Sequence, residues 1–335
     1  MTYPLVMGYV PEGHIIKGCV LKEYVLPVWQ QKYNFKIIVK REWTNDKEGS
    51  GYLMSKNMSI KLRNFKTRSG VIVALIISSL GFIAPASGCD RALKTDMLQA
   101  AHRTPEFVLR DQYRHPFETV KFFDIKPGST VVEIWPGKGW YTEVLIPYIG
   151  GGDFYAAHFP TEVGVDYYDT NHALFLEKLA VHPDVYGQVK MATFDPKRNQ
   201  LSVPDGSADH VLTFRNVHNW LRSESEANAF ELFYKALKPG GILGVVEHRA
   251  VKNTDWETMK ASGYMTEQYV IDLAQKAGFV LVEKSDINNN AKDTKNHPKG
   301  VWTLPPSLRL KEQGREKYLA IGESDRMTLK FKKPE

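Results

Sequence analysis

From residue 104 onward, short apolar runs alternate with segments in which apolar residues recur every three or four positions. The apolar runs predict five strands, at Thr130–Ile134, Phe154–Ala157, Val189–Ala192, His210–Phe214 and Ile242–Glu247. The amphipathic segments predict helices at Tyr141–Ile149, Asn171–Val181 and Ser223–Leu237. Strands that alternate with helices of this length predict a parallel sheet that is covered on both faces.

The same pattern continues at both ends of this region. A Thr-Pro-Glu start signal predicts a helix from Thr104 to Asp124, which ends before Lys-Pro-Gly at 126–128. After Met265 the pattern predicts a helix to Ala277, a strand at Phe279–Lys284 and a last strand near Met327–Phe331. The asparagine-rich stretch 287–300 predicts an exposed loop.

The chain before residue 90 has the order of a bacterial export signal. Basic residues after Met58 precede an uncharged apolar run from Val71 to Pro85, and small residues then lead to Cys89. The ending Ala-Ser-Gly-Cys resembles a lipoprotein cleavage site, with Ala86 where leucine is commonest. Because residues 69–89 are uncharged and long enough to span a bilayer, a membrane anchor is the alternative. We predict an envelope protein, periplasmic or attached to the membrane through this signal or a lipid on Cys89; if the leader is misread, the protein is cytoplasmic.

Residues 1–53 precede the export signal, although such a signal normally stands at the N-terminus of the translated chain. Their apolar residues keep no sustained period, which argues against a small domain. We therefore predict that translation begins at Met54 or Met58 and that 1–53 is an extension produced by too early a start. Residues 54–89 are then the targeting segment, and 104–335 is the folded domain.

The formal charge of +6 belongs to the leader. Residues 1–88 hold 12 of the 44 Lys and Arg and 5 of the 38 Asp and Glu, which leaves 32 against 33 for the rest. The body therefore gives no electrostatic reason to expect a nucleic-acid partner.

A glycine turn follows the first predicted strand, within EIWPGKGWYT at 133–142. Gly137 and Gly139 would let the backbone approach a ligand closely, and the next helix would present free N–H groups to it. A Gly-x-Gly turn by itself is equally compatible with a tight turn that binds nothing.

Several features in order resemble the class I S-adenosylmethionine-dependent methyltransferases. They are Glu133 before the turn, Gly137 and Gly139 within it, Asp195 after the third strand, and LKPGG at 237–241 before the fifth. The resemblance covers about 104–335 and extends to a group of bacterial predicted methyltransferases. That group shares the motifs RHPxET, EIWPGxGWYT, YAAHF and LPPxLR, which here lie at 114–119, 133–142, 155–159 and 304–309.

The resemblance implies a Rossmann-like, doubly wound α/β fold. Its seven-stranded, mostly parallel sheet would have the order 3-2-1-4-5-7-6, with strand seven antiparallel. It also implies S-adenosylmethionine as the cofactor, with its methionine part over Gly137 and Gly139. Glu133 would then orient the turn or meet the amino group, and Asp195 would face the adenine.

Two residues depart from the family pattern at the predicted cofactor site. Trp135 replaces the first glycine, so its side chain must roof the pocket or fill part of it. His158 stands where an acidic residue usually accepts from both ribose hydroxyls, whereas a neutral imidazole offers one acceptor. A dinucleotide cofactor fits less well, because Thr142 replaces the third glycine of that fingerprint and no acidic residue follows at the required distance.

The segment FRNVHNW at 214–220 follows the fourth strand and should overhang the transferred methyl group. We predict His218 as the base that takes a proton from the acceptor, with Asn219 or Asn216 as its orienting partner. Asn216 counts in addition as a predicted cofactor contact, and His248 is the second candidate base. Alternatively, His218 caps a helix or satisfies a buried carbonyl.

The sequence also limits the function. It lacks the Asn/Asp-Pro-Pro-Tyr/Phe loop of nucleic-acid adenine methylases, spaced metal-ligand motifs and the serine-hydrolase elbow, so we predict a small-molecule acceptor and no metal. An exported enzyme would lack an obvious supply of S-adenosylmethionine. A non-catalytic envelope protein that binds another ligand is therefore the alternative, and a Rossmann-type oxidoreductase is the third candidate.

Overall fold

The computed structural model describes residues 36–45, 53–63, 94–95 and 97–335, the first two ranges through their backbone. The chain divides into two compact units, residues 1–90 and 91–335. In the first unit, strands β1 (Lys36–Asn45) and β2 (Leu53–Arg63) pair antiparallel. The apolar run 71–85 and Cys89 lie outside the described residues, so translation start, export and lipidation stay predictions. No helix in the described part of the chain combines the length and the apolar character needed to cross a membrane.

The second unit is built on an eight-stranded sheet in the order β6-β5-β4-β3-β7-β8-β11-β9. Its strands are β3 (Val131–Ile134), β4 (Phe154–His158), β5 (Val189–Asp195), β6 (Gln200–Leu201), β7 (Ala208–Phe214), β8 (Leu237–His248), β9 (Val280–Ser285) and β11 (Arg326–Lys332). Five of them run parallel, and β11 is antiparallel to β8 and β9. The predicted fold and strand order are therefore confirmed; the addition is the two-residue β6, antiparallel at the edge to β5.

Helices connect these strands and lie before the first of them. They are α1 (Pro105–Val108), α2 (Asp111–Arg114), α3 (Pro116–Phe122), α4 (Thr142–Ile149), α5 (Asp166–Val181), α6 (Pro183–Tyr186), α7 (Val217–Arg222), α8 (Glu226–Ala236), α9 (Trp256–Ser262), α10 (Glu267–Lys276) and α11 (Arg315–Ile321). The prediction of one helix from 104 to 124 is wrong, because the chain turns at His115, whose φ is +39°, and restarts at Pro116. Proline cannot donate to the preceding turn, which makes it a natural first residue of a new helix.

The central strands of the sheet are buried on both faces, as near-continuous apolar runs in parallel strands require. In β3, Val131 packs into one hydrophobic cluster, whereas Val132 and Ile134 pack into the other. Successive side chains of a strand point to opposite faces, so the two clusters are the two layers that helices cover. This burial fixes the register of β3 and places the turn that follows it.

The loop predicted at 287–300 is not simply exposed. Asn288 and Asp293 are buried, and the hydroxyl of Tyr264 donates to both carboxylate oxygens of Asp293 at 3.0 Å. The last residues of the stretch begin β10 (Pro298–Val301), which lies outside the eight-stranded sheet. The polar side chains of the stretch 287–300 bind each other and the backbone. Composition alone does not distinguish such internal hydrogen bonds from exposure to solvent.

Candidate functional site

A cavity of about 1190 Å³ opens where β3 and β7 end. These strands are neighbours, and the chain proceeds from β3 toward one edge of the sheet and from β7 toward the other. In doubly wound folds a ligand binds outside the carboxyl ends of the strands at this reversal of order. Of the ten predicted site residues, seven line the cavity: Glu133, Trp135, Gly137, Asn216, His218, Asn219 and His248.

The two glycines of the turn have different reasons to be glycine. Both have a left-handed backbone, with φ of +59° at Gly137 and +80° at Gly139. A Cβ at Gly137 would meet nothing within 4 Å, whereas one at Gly139 would lie 3.0 Å from the side chains of Phe175 and Lys178. Gly137 therefore faces the cavity, and Gly139 lets α5 pack against the turn.

Trp135 points into the core and forms part of the cavity wall. It is 9% exposed, and its Nε1 donates to the carbonyl of Phe194 at 3.0 Å. Its ring centroid lies 4.7 Å from that of Phe159, which stacks in turn on Tyr168 at 4.6 Å. The indole thus fills space beside the pocket with an aromatic wall that the usual glycine would not supply.

Glu133 is a buried carboxyl at the floor of the cavity. Its Oε2 accepts a hydrogen bond of 2.6 Å from the hydroxyl of Thr142. Burial raises the pKa of Glu133 to about 8, against the smaller lowering effects of the Thr142 bond and the charge of Arg114. A positively charged ligand group would favour the charged form of this carboxyl.

His158 does not line the cavity, and both of its ring nitrogens are occupied. Nε2 donates to the carbonyl of Gly137 at 3.0 Å, and Nδ1 accepts from the backbone N–H of Phe159 at 2.9 Å. Burial lowers the pKa of His158 to about 4, so the ring is neutral at physiological pH. In the structure His158 braces the glycine turn, and neither nitrogen is left for a ribose hydroxyl.

Asp195 also turns away from the cavity. Its Oδ1 accepts from the backbone N–H groups of Lys197 and Arg198, at 3.1 and 3.3 Å. These bonds cap the 3-10 helix Pro196–Arg198, a role that short acidic side chains fill at helix starts. The side chain therefore organises the end of β5 rather than offering itself to an adenine.

His218 lines the cavity with a carboxylate behind it. Its Nδ1 donates to Glu247 Oε1 at 3.0 Å, and its backbone N–H lies 3.3 Å from Oε2 of the same carboxylate. Among the described residues Nε2 has no hydrogen-bond partner. With the proton held on Nδ1, Nε2 is the free acceptor of a neutral imidazole, which is the arrangement of a general base.

In the structure the hydrogen-bond partner of the His218 ring is Glu247 and not, as predicted, Asn216 or Asn219. The amide of Asn216 donates to the carbonyl of Ile134 at 3.0 Å and so ties the end of β3 to the start of α7. Asn219 lines the cavity one residue beyond His218. The sequence signal for Glu247 was an acidic residue at the end of an apolar strand, because a buried carboxylate needs a hydrogen-bond partner.

His248 is the second histidine of the cavity wall. Its ring centroid lies 5.2 Å from that of His218, and its Nδ1 is 2.5 Å from the hydroxyl of Ser324. Burial lowers the pKa of His248 well below its ordinary value, and the positive charges of Arg326 and Arg215 lower it further. His248 is a neutral, firmly held ring.

The ligand atoms of His218, Glu247 and His248 all lie within 4.8 Å of one another, a grouping that the sequence motifs did not predict. A metal ion here would have to displace the hydrogen bonds of Glu247 to His218 and to the backbone of His248. It would also face the two arginine charges that act on His248. We therefore interpret the group as a hydrogen-bonded pair with a neighbouring ring.

Several wall residues were not in the predicted site, and arginines dominate them. They include Arg110, Arg114, Arg215, Arg222, Arg309 and Arg326, together with Tyr141, Phe214 and Trp302. Arg114 belongs to the RHPxET motif and is 1% exposed, so its charge is buried rather than solvated. The signal for Arg215 was a cation placed immediately after a buried strand.

No model of a protein family matches the sequence, and no curated protein matches it. Solved structures do resemble the fold. A SAM-dependent methyltransferase from Aquifex aeolicus is 15% identical, with 73% of this chain and 98% of that chain covered and a TM-score of 0.46. The [4+2]-cyclase SpnF is 16% identical, with 66% and 80% covered and a TM-score of 0.47.

A complex of the Haloferax volcanii Trm112 activator with a putative methyltransferase gives 15% identity, 73% and 97% coverage and a TM-score of 0.44. Likeness at this level does not assign a reaction to this chain. One fold can carry many chemistries, so the function has to be argued from the residues of the cavity.

Proposed function

We propose that the second unit catalyses methyl transfer from S-adenosylmethionine to a small-molecule acceptor. The observation that carries the proposal is the meeting, in one cavity at the reversal of strand order, of a glycine turn and a histidine–carboxylate pair. Gly137 supplies close backbone approach there, and Glu133 supplies a carboxyl whose ionisation a cationic ligand would favour.

The residues around the turn fit the cofactor in part. Glu133 and Gly137 would hold the methionine part of the cofactor. Trp135 and Tyr168 would form an aromatic wall beside its adenine. Since His158 and Asp195 are occupied internally, polar groups of α5 such as Asn171 would have to meet the ribose. When bound, S-adenosylmethionine supplies an electrophilic methyl group.

His218 is the proposed base. Nε2 takes the proton from the acceptor while Glu247 holds the ring in one tautomer and stabilises the protonated form. The cavity wall positions the acceptor in line with the methyl group, and for such a displacement orientation supplies a large part of the rate enhancement.

The occupied side chains of His158 and Asp195 favour one second candidate, a protein that keeps the fold and binds a different ligand without catalysis. Calorimetry of the full chain with S-adenosylhomocysteine separates the two. We expect saturable binding, and its absence at millimolar ligand would favour the non-catalytic candidate.

A matched pair of glycine variants locates the site. Gly137→Val should abolish binding, because its side chain would project toward the cavity. Gly206→Val is the control, since Gly206 has a similar φ of +62°, equally open space and no place on the cavity wall. Both variants carry the same backbone strain, so only the loss of binding in Gly137→Val supports the turn as the contact.

Methyl transfer itself can be followed with a tritium-labelled methyl group and a panel of small acceptors. His218→Ala should lower the rate about 10²–10⁴-fold, the range expected when a general base is removed. Its binding of S-adenosylhomocysteine should be unchanged. Asn219→Ala, at the next position on the same wall, should have a much smaller effect, and equal effects of the two would remove His218 from the proposed role.

A further inference from the structure

Four arginines surround a single buried carboxylate at one side of the cavity. Arg110 Nε donates to Glu323 Oε1 at 2.5 Å, Arg114 Nε donates to Oε2 at 3.3 Å, and Arg326 pairs with the same oxygen. The charge of Arg215 also acts on Glu323. Glu323 is 2% exposed, so four positive charges share one negative charge in a region with little water.

Part of the donor capacity of this cluster is unused. Nη1 and Nη2 of Arg114, Nη2 of Arg110 and Nε of Arg326 are buried and have no hydrogen-bond partner among the described residues. Arg114 is 1% exposed and lines the cavity, and Trp140 lies against its guanidinium face at 4.5 Å. Buried donors without partners are costly, and a held, planar guanidinium is suited to a bidentate oxyanion.

The electrostatics favour the same kind of ligand. Burial, and after it the charge of Arg215, lowers the pKa of Arg114 well below its ordinary value. Burial and the charge of Arg326 lower the pKa of Arg215 to about 10. The positive charges of these groups repel one another, and a bound anion would relieve that repulsion.

The cluster lies beside the proposed base. Arg215 directly follows β7, Arg326 begins β11, and both charges act on the ring of His248, which neighbours His218. Its members come from three distant parts of the chain and meet only in the folded protein.

We propose that Arg114, Arg215 and Arg326 bind an oxyanion group, a carboxylate or a phosphate, of the methyl acceptor. The existence of an anion site stands on the cluster alone, whereas its assignment to the acceptor rests on the proposed function. An anion held here would direct the remainder of the acceptor toward His218. A carboxylate could also come from the methionine part of the cofactor, and the experiment distinguishes the two sources.

The test is calorimetry of the full chain with inorganic phosphate in a phosphate-free buffer. We expect saturable binding that weakens at least about tenfold in Arg215→Gln, because a charge-assisted hydrogen bond is lost. Arg215 is suited to the test because it makes no salt bridge with the described residues. Arg309→Gln is the control, since Arg309 lines the same cavity but lies over Trp302 at 4.6 Å. If Arg215→Gln does not fold, as judged by circular dichroism, Arg215→Lys keeps the charge and loses the planar fork, and it should also weaken binding.

Competition then identifies the source of the anion. Unchanged phosphate affinity in the presence of saturating S-adenosylhomocysteine supports an acceptor site. Displacement by S-adenosylhomocysteine but not by methylthioadenosine, which lacks the carboxylate, assigns the cluster to the cofactor and overturns the acceptor assignment. Phosphate binding without any binding of S-adenosylhomocysteine upholds the anion site while the methyltransferase proposal fails. No phosphate binding, or equal binding by wild type and Arg215→Gln, overturns the anion site itself.

Discussion

Trp135 adopts a backbone conformation that usually requires glycine. Its φ of +46° lies in the left-handed region, which costs a residue with a Cβ about 1–2 kcal/mol. Loss of a buried aromatic side chain usually costs about 3–5 kcal/mol. Since the indole is buried and hydrogen-bonded to Phe194, packing outweighs the strain. The tryptophan therefore supports the turn and is compatible with a ligand beside it.

Glu133 gives a pH dependence that can be assigned to one group. The folded state holds its proton up to about pH 8, whereas the unfolded chain loses it near the ordinary value of 4.5, so stability falls as pH rises through this interval. Histidines such as His158, whose pKa is lowered from 6.5, act in the opposite direction, but only below that pH. From about pH 6.5 we expect the free energy of unfolding to fall by up to about 1.4 kcal/mol per pH unit, and by about half of that per unit at pH 8, where the folded-state carboxyl is half ionised.

Urea denaturation at several pH values in this interval tests the assignment. Glu133→Gln should show no decline, because it has no proton to lose. Thr142→Val should extend the decline to higher pH, since the Thr142 hydroxyl stabilises the charged carboxylate. A wild-type protein as flat as Glu133→Gln would show that Glu133 is ionised throughout.

At the scale of elements, the sequence pattern predicted what depends on apolar periodicity. The strands at 131–134 and 208–214 are short and mostly apolar, and their order could be inferred from the family resemblance. The break at Pro116 was missed because apolar residues continue on both sides of it. The roles of His158 and Asp195 were missed for another reason, since a resemblance predicts a residue's position and the hydrogen bonds depend on its neighbours in space.

The arginine cluster could not have been predicted as a unit. Arg114 and Arg326 are separated by more than two hundred positions, and no short motif includes both. The charged sequence Glu-Ser-Asp-Arg at 323–326, which leads into the buried strand β11, was the available signal. Charges at such a place need partners, but the sequence does not say which.

Glu143 connects three elements and gives a prediction at this scale. It is fully buried in α4, where it accepts from the backbone and hydroxyl of Thr104 before α1, pairs with Lys178 of α5, and lies 3.5 Å from Arg103 Nε. Glu143→Gln keeps the shape and removes the carboxylate that pairs with Lys178, while Arg103 keeps its pair with Asp111. We expect a loss of about 3–5 kcal/mol in the free energy of unfolding, as for other buried pairs that lose one partner.

The control for this prediction is Glu118→Gln. Glu118 pairs with Lys94 at 2.6 Å, but both side chains are more than 40% exposed, so the loss should stay below about 1 kcal/mol. Urea denaturation of both variants at neutral pH provides the comparison. Similar losses for the two would mean that the Glu143 network contributes no more than a surface pair.

At the scale of the whole molecule, charge is distributed unevenly between the body and its cavity. Residues 89–335 carry 32 basic against 33 acidic side chains, yet six arginines line the cavity. Two of them, Arg222 and Arg309, lie over the ring of Trp302, at 4.3 and 4.6 Å. A positive cavity in a body of balanced charge attracts small anions without attracting polyanions over its whole surface. On this distribution a small anionic partner is the expectation, and the absence of a nucleic-acid partner stays a prediction.

The proposed site for an anion beside a methyl donor has a consequence for how the two ligands bind together. S-adenosylmethionine and S-adenosylhomocysteine differ by one methyl group and one positive charge. If the arginine cluster holds an anion close to the transferred methyl group, that anion gains attraction from the charged cofactor only. We expect inorganic phosphate to bind at least about fivefold more tightly to the complex with S-adenosylmethionine than to the complex with S-adenosylhomocysteine. This is a modest coupling between two sites.

The measurement is a phosphate titration by calorimetry at saturating levels of each nucleoside. By reciprocity, saturating phosphate should increase the affinity for S-adenosylmethionine by the same factor. The affinity for S-adenosylhomocysteine should not change. Arg309→Gln should preserve the ratio, since that side chain is stacked on Trp302 at 4.6 Å and not in the cluster. Equal phosphate affinities in the two complexes would place the anion too far from the methyl group for an acceptor. If phosphate does bind more tightly to the complex with S-adenosylmethionine, transfer of the methyl group weakens the binding of the anion. The reaction itself then favours release of the product.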